Sequence, residues 1–163
     1  MEGIAIKMNR RKLMWLFPIS WMGVIFYFSH QPSVESAQTS GWLTNRIETI
    51  AHVFNISSTD VNLHLLVRKG AHFTEFAILG FLLFLALYFT RKKLLSSSAI
   101  ALITGVVYGT FDELHQLYIP GRSCQITDVL IDASGVLVAI LLCSGYVMLR
   151  MYVSQKHNLH SAL

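Results

Sequence analysis

Four stretches of this chain, about residues 13–29, 73–90, 94–111 and 129–149, carry almost no charge. Each approaches the roughly 20 apolar residues that a helix needs to cross a bilayer. The rest of the composition agrees: 163 residues that are 53% hydrophobic and only 13% charged, with a mean hydropathy of +0.51, lie outside the range of a water-soluble domain. The pattern predicts one all-α domain over 1–163, an integral membrane bundle of four transmembrane helices. The third helix is expected to extend to about 118, and an outer-face helical segment is expected between the first two. The first run contains Pro18 and is followed by FSHQPSVES rather than a small-x-small cleavage site, so it reads as a retained span with a mild kink.

Basic residues set the expected orientation. Lys7, Arg10, Arg11 and Lys12 precede the first run, Arg91, Lys92 and Lys93 join the second to the third, and Arg150 and Lys156 follow the fourth. These segments are expected in the cytoplasm, which puts both termini inside. The segments at about 30–71 and 119–128 then face outward, although they carry Arg46, Arg68, Lys69 and Arg122. This bias accounts for the net charge of +4, so nothing points to nucleic acid. Cys124 falls in the outer loop and Cys143 deep in the fourth helix, too far apart for a disulfide.

In the long outer segment, WLTNRIETIAHVF puts Trp42, Leu43, Ile47, Ile50 and Phe54 on one side at close to helical period. That face either lies in the headgroup layer, anchored by Trp42, or packs on the bundle. After NISSTD, where Ser58 or Thr59 offers a cap, the chain turns helical again through VNLHLLVRK and runs into the second span.

Counting inward from the basic clusters at about 1.5 Å per residue brings polar groups of four helices to one layer just under the outer surface. Asp112 and His72 fall at the outer edge of the hydrocarbon, Glu75 and Asp132 about one turn inside, and Asp128 at the mouth of the fourth helix; Ser29, His30 and Gln31 end the first. Asp112, His115 and Gln116 share an arc of about 100° with Glu113 on its flank, while Lys69, His72 and Glu75 share one stripe and Asp128 and Asp132 another. Gly135 and Ala139 continue the last stripe with small residues that permit close helix approach. Ionisable groups facing lipid are costly, so these sets are expected to point inward and to mark a site.

The stretch DELHQLYIPGRSCQITDVLIDASG at 112–135 resembles the signature of the VanZ-like membrane proteins, as do FSHQ at 28–31 and KGAHFTEF at 69–76. Phe76 stands where that family commonly has Tyr, and Asp132 where it commonly has Asn. The resemblance implies a multi-pass bacterial cell-membrane protein related to one linked with low-level resistance to teicoplanin, a lipid-bearing glycopeptide.

His72, Glu75, Asp112, Glu113 and His115 are the candidate catalytic residues, and Gln31, Lys69, Gln116, Arg122, Asp128 and Asp132 the candidate ligand-binding residues. His72 with Glu75, and Asp112 with His115, are His-carboxylate pairs. With Asp128 and Asp132 they suit one or two divalent metals that polarise a phosphate ester or activate water. A metal-free version clamps a phosphate or carboxylate with Lys69 and Arg122 and uses His72 or His115 as general acid or base. The bland alternative is a brace at the helix ends that pairs Lys69 with Glu75 or Arg122 with Asp112. His30, His52, His64, His157 and His160 read as solvated, and Pro120-Gly121 as a turn that returns Arg122 over the site.

Reachable ligands are membrane lipids, a lipid-linked envelope component or a lipoglycopeptide. Three functions follow: a binding or envelope-modifying protein that changes how a lipoglycopeptide engages the surface, an intramembrane enzyme acting on a phosphate or ester of a lipid, and a small transporter. A transport path requires polar groups at several depths, whereas the inner halves of the spans are apolar.

Overall fold

A computed structural model of the chain describes residues 10–36, 38, 41, 42, 45, 46, 49 and 63–161. The elements are α1 (Arg10–Leu13), α2 (Leu16–Ser29), α3 (Leu63–Arg91), α4 (Leu94–Gln116) and α5 (Ile126–Ser161), and no strand occurs among the described residues. Among the described residues, four helical stretches are long and apolar enough to cross a membrane: Arg11–Ser29, Leu65–Arg91, Leu94–Gln116 and Ile126–Asn158. The protein is an all-α membrane bundle of four spans, here called by their principal helices α2, α3, α4 and α5.

Pro18 acts more strongly than the expected mild kink. Its ring opposes the carbonyl four residues earlier, and Met14 and Trp15 form a turn that separates α1 from α2. Pro18 itself then lies in the first turn of α2, where its missing N–H costs nothing. α3 begins well before the apolar run at 73, as the helical reading of VNLHLLVRK requires, and so carries Arg68, Lys69 and His72 on its first three turns. Ser58, Thr59, Leu43, Ile47, Ile50 and Phe54 lie outside the described residues. After a bend at 31 and 32 every described position from 33 to 49 is helical, Trp42 is exposed, and the Arg46 guanidinium sits 5.7 Å from its ring centroid.

α3 packs most extensively on α5, and small residues make this possible. A Cβ at Gly135 would run into the carbonyl oxygen of Phe73, and one at Gly80 would stand 2.9 Å from the Cα of Val136. Val136 in turn fills the space beside Gly105 of α4. Phe76, Leu79, Leu83, Phe84, Ala101, Val136 and Ile140 form the buried core, with Ile25 added from α2. Tyr108 ties α4 to α2 by donating its hydroxyl to the Met22 carbonyl at 2.6 Å. Large apolar side chains such as Phe17, Ile19, Ile103, Leu141 and Leu142 point outward, as a surface solvated by lipid tails demands.

At one end of the bundle α3 passes into α4 through Lys92 and Lys93 alone, with Lys92 in the left-handed region at φ 57°. Its ammonium lies 4.9 Å from the Phe89 ring centroid. The opposite end holds the polar residues.

Candidate functional site

Spacing along α4 positions the first half of the site. Gly105, Gly109, Asp112 and Gln116 fall within one inward stripe, and Glu113 stands beside it. A Cβ at Gly109 would be 3.1 Å from the Phe76 ring and 3.2 Å from the Asp132 Cβ, so the absent side chain lets α4 drop its carboxylates into the bundle. Glu113 is 0% exposed and Asp132, facing it from α5, is 1% exposed.

His72 of α3 meets both. His72, Asp112 and Glu113 each offer one ligand-type atom, and these lie within 4.8 Å of one another. His72 Nδ1 also stands 3.4 Å from Asp132 Oδ1, near enough for an ion pair yet misaligned for a hydrogen bond. Gln116 donates its amide to Asp112 Oδ2 at 3.2 Å, and the Gln125 backbone N–H donates to Glu113 Oε2 at 3.1 Å. The second Glu113 oxygen, both Asp132 oxygens, His72 Nδ1 and the Ser29 hydroxyl are buried with no hydrogen-bond partner among the described residues. Buried polar groups are normally satisfied, so this concentration of orphans in one place is unusual.

Arg122 closes the site from the loop between α4 and α5. Gly121 adopts φ +74°, and a Cβ there would collide with the Ser33 hydroxyl, so the turn requires glycine. Ser33 N–H donates to the Pro120 carbonyl at 3.2 Å and fixes that turn to the end of α2. Arg122 Nε then donates to the Gln31 carbonyl at 3.3 Å, while its terminal nitrogens stand 3.5 Å from Phe28 O and Gln116 Oε1. Two of these acceptors are carbonyls at the C-terminus of α2, which a cation stabilises. Burial first, and then the nearby Arg68 cation, push the Arg122 pKa below its ordinary value; the carboxylates of Asp112, Glu113 and Glu75 act in the opposite sense.

A cavity of about 230 Å³ lies between these helices, walled by Ile25, Phe28, Ser29 and Gln31 on the α2 side and by Val67, Arg68, Ala71, His72 and Glu75 of α3. Asp112, Arg122 and Ser36 complete it. Trp21 supports this wall by donating its indole N–H to the Glu75 carbonyl at 2.9 Å.

Several candidates pair differently from their sequence spacing. His72 approaches Asp132 rather than Glu75, and Asp112 is held by Gln116 rather than His115. Neither anticipated brace forms: Lys69 Nζ lies 3.4 Å from Asp128 Oδ1, and Arg122 bonds α2 carbonyls and Gln116. Asp128 also holds Arg68 at 3.7 Å, at the rim of the site. His115 stands apart from the carboxylate cluster, stacked on His30 with ring centroids 5.4 Å apart and its Nε2 3.2 Å from His30 Nδ1. His30 is exposed, as expected, yet it is engaged by this contact and by stacking on Phe26. Cys124 and Cys143 are free.

Arg68 and the Gln125 amide line the site although motif spacing did not select them, and Ser29, placed in the polar layer within FSHQ, joins them beyond the candidate residues. Arg68 had a signal, since it is one of the cations that the charge asymmetry leaves on the wrong side. The Gln125 amide had none, because a backbone donor depends on the turn rather than on residue identity.

Chemically, the cavity wall sets the guanidinium groups of Arg68 and Arg122, suited to a small anion, beside Glu75 and Asp112, and Asp112 continues into an acid-rich cluster suited to a cation. The chain matches the VanZ/LLP1 family over residues 14–150. No curated protein and no solved structure matches it.

Proposed function

The chain belongs to the VanZ/LLP1 family, and from that premise we propose that it binds the anionic head group of a membrane lipid or lipid-linked envelope component. By doing so it alters how lipoglycopeptides such as teicoplanin engage the cell surface. On this reading the protein sits in the bacterial cell membrane with both termini in the cytoplasm and the polar end in the outer leaflet. The basic clusters before α1 and between α3 and α4 support that orientation.

The observation that carries the proposal is the cavity. At about 230 Å³ it is below the roughly 300–1,000 Å³ of pockets that enclose drug-sized ligands. A phosphate-bearing head group is the better match in size than a glycopeptide. Arg68 and Arg122 line it, and guanidinium forks recognise phosphate and carboxylate well. The apolar side chains Ile25, Phe28 and Val67 offer the same ligand a place for the start of its acyl or prenyl chain.

Growth inhibition in one Gram-positive host tests this, comparing empty vector, this protein and its Arg122→Gln variant at matched membrane abundance. Protection against teicoplanin but not vancomycin, lost in the variant, is the expected result. Equal sensitivity of all three strains to teicoplanin overturns the proposal.

A second reading, an intramembrane enzyme acting on a phosphate or ester of such a lipid, is favoured by the close approach of His72, Asp112 and Glu113. It requires that His72→Gln and Asp112→Asn abolish turnover while head-group binding persists. Normal function of both isosteres at normal abundance refutes it.

A further inference from the structure

We propose that His72, Asp112 and Glu113 form a binding site for one divalent first-row transition metal ion, with Asp132 orienting the histidine. The inference deepens the account of the polar site and rests on the same group of helices as the head-group reading.

Three observations point the same way. His72, Asp112 and Glu113 come from two helices and bring one ligand-type atom each to within 4.8 Å of one another. Ligands about 2.0–2.2 Å from a shared tetrahedral metal stand about 3.3–3.6 Å apart, so side-chain rotations that draw these atoms together by up to about 1 Å close the set. Second, the orphaned oxygens are concentrated here: Glu113 Oε1 and both carboxylate oxygens of Asp132 are fully buried without a partner among the described residues. Third, acids outnumber the cations available to them. Lys69 and Arg68 both face Asp128. Among the described residues, Asp112, Glu113, Asp132 and the partly buried Glu75 face Arg122 and His72, with His115 also near Asp112. Buried carboxylates need partners, and a cation among them supplies charge and coordination together.

The position of Asp132 is informative. Its Oδ1 lies 3.4 Å from His72 Nδ1. The contact is not an aligned hydrogen bond, but a small rotation of the Asp132 carboxylate lets it accept the Nδ1 proton and leaves the other ring nitrogen free for a metal, a common arrangement for metal-binding histidines. Donor chemistry narrows the ion. An imidazole with two carboxylates suits Zn²⁺ or Mn²⁺; all-oxygen sites suit Mg²⁺ or Ca²⁺, and thiolates are the choice of soft ions. Gln116, bonded to Asp112, and the Gln125 amide, bonded to Glu113, fix one oxygen of each carboxylate and leave the other oxygen for the ion.

The test uses the full-length protein in mild detergent, with metal content measured by mass spectrometry as purified and after equilibrium dialysis against Zn²⁺ or Mn²⁺. One equivalent per chain is expected in the wild type. His72→Gln and Glu113→Gln should each weaken uptake at least about 100-fold, and Asp132→Asn about 10- to 100-fold. Thr110→Ala, an exposed position on the same helix, should leave uptake unchanged. Wild-type protein that takes up neither ion saturably, or uptake that survives both His72→Gln and Glu113→Gln, overturns the proposal. If those variants fail to fold, X-ray absorption of the wild type decides it. An imidazole-plus-oxygen shell supports the site, and a sulfur-containing or all-oxygen shell overturns it. Metal uptake can fail while teicoplanin protection stands, or the reverse, so this proposal and the functional one are judged separately.

Discussion

Replacing Gly135 by alanine tests the helix contact on which the site depends. The new Cβ meets the Phe73 carbonyl oxygen and stands 3.1 Å from the Ala77 nitrogen, both backbone atoms of α3 that no rotamer change can move. Restoring ordinary van der Waals contact requires α3 and α5 to part by about 1 Å. Overpacking of this kind typically costs about 1–3 kcal/mol. For a chain of this length that corresponds to a loss of about 2–4 °C in Tm per kcal/mol. The geometry adds a functional consequence. Asp132 lies almost one turn before Gly135, and His72 directly precedes Phe73, so the same separation opens the 3.4 Å contact between them. Gly145→Ala is the control on the same helix, because a Cβ there has nothing within 4 Å. Thermal unfolding in detergent followed by circular dichroism should show a drop of several degrees for Gly135→Ala and none for Gly145→Ala. Equal melting of the two variants would refute the claim that close approach of α3 and α5 is what the glycine supplies.

Two further predictions concern the loop and the orientation. Gly121→Ala combines a Ser33 collision with a left-handed φ that costs a non-glycine residue about 1–2 kcal/mol. It should reduce teicoplanin protection by displacing Arg122, whereas Ser33→Ala should not. Comparable loss in both variants would place the effect in Ser33 itself. In intact cells a membrane-impermeant maleimide should label Cys124 and leave Cys143 untouched, since Cys124 lies in the α4–α5 loop and Cys143 within α5. Labelling of Cys124 only after the cells are opened would reverse the proposed topology.

The four helices were legible because charge-free length is nearly sufficient to define a span, and the structure adds the residues that such a rule cannot see. α3 starts at Leu63 although its first turns carry Arg68, Lys69 and His72, because charges directed at Asp128 and Asp132 on α5 do not interrupt a helix. α5 similarly continues past the apolar run through RMYVSQKHN. Inward stripes identified Asp112, Glu113, Gln116 and Asp132 as members of one layer, since helical periodicity fixes direction within a helix. Partnership across helices was not legible. Spacing along α3 suggests His72 with Glu75, but the contact with Asp132 depends on how far α5 slides along α3, which Gly135 and Gly80 set in three dimensions. His115 shows the same limit, since its approach to His30 depends on the position of α2, 85 residues away in sequence.

The central claim, that the cavity holds an anionic head group, is tested most directly by native mass spectrometry of protein extracted with its own lipids and then exposed to phosphatidylglycerol. Wild-type protein should retain about one anionic lipid per chain under conditions that strip neutral lipid, and Arg122→Gln and Arg68→Gln should lower that retention at least about tenfold, in line with loss of charge-assisted hydrogen bonds. Retention that is identical in wild type and both variants, or equal for anionic and neutral lipids, would contradict it.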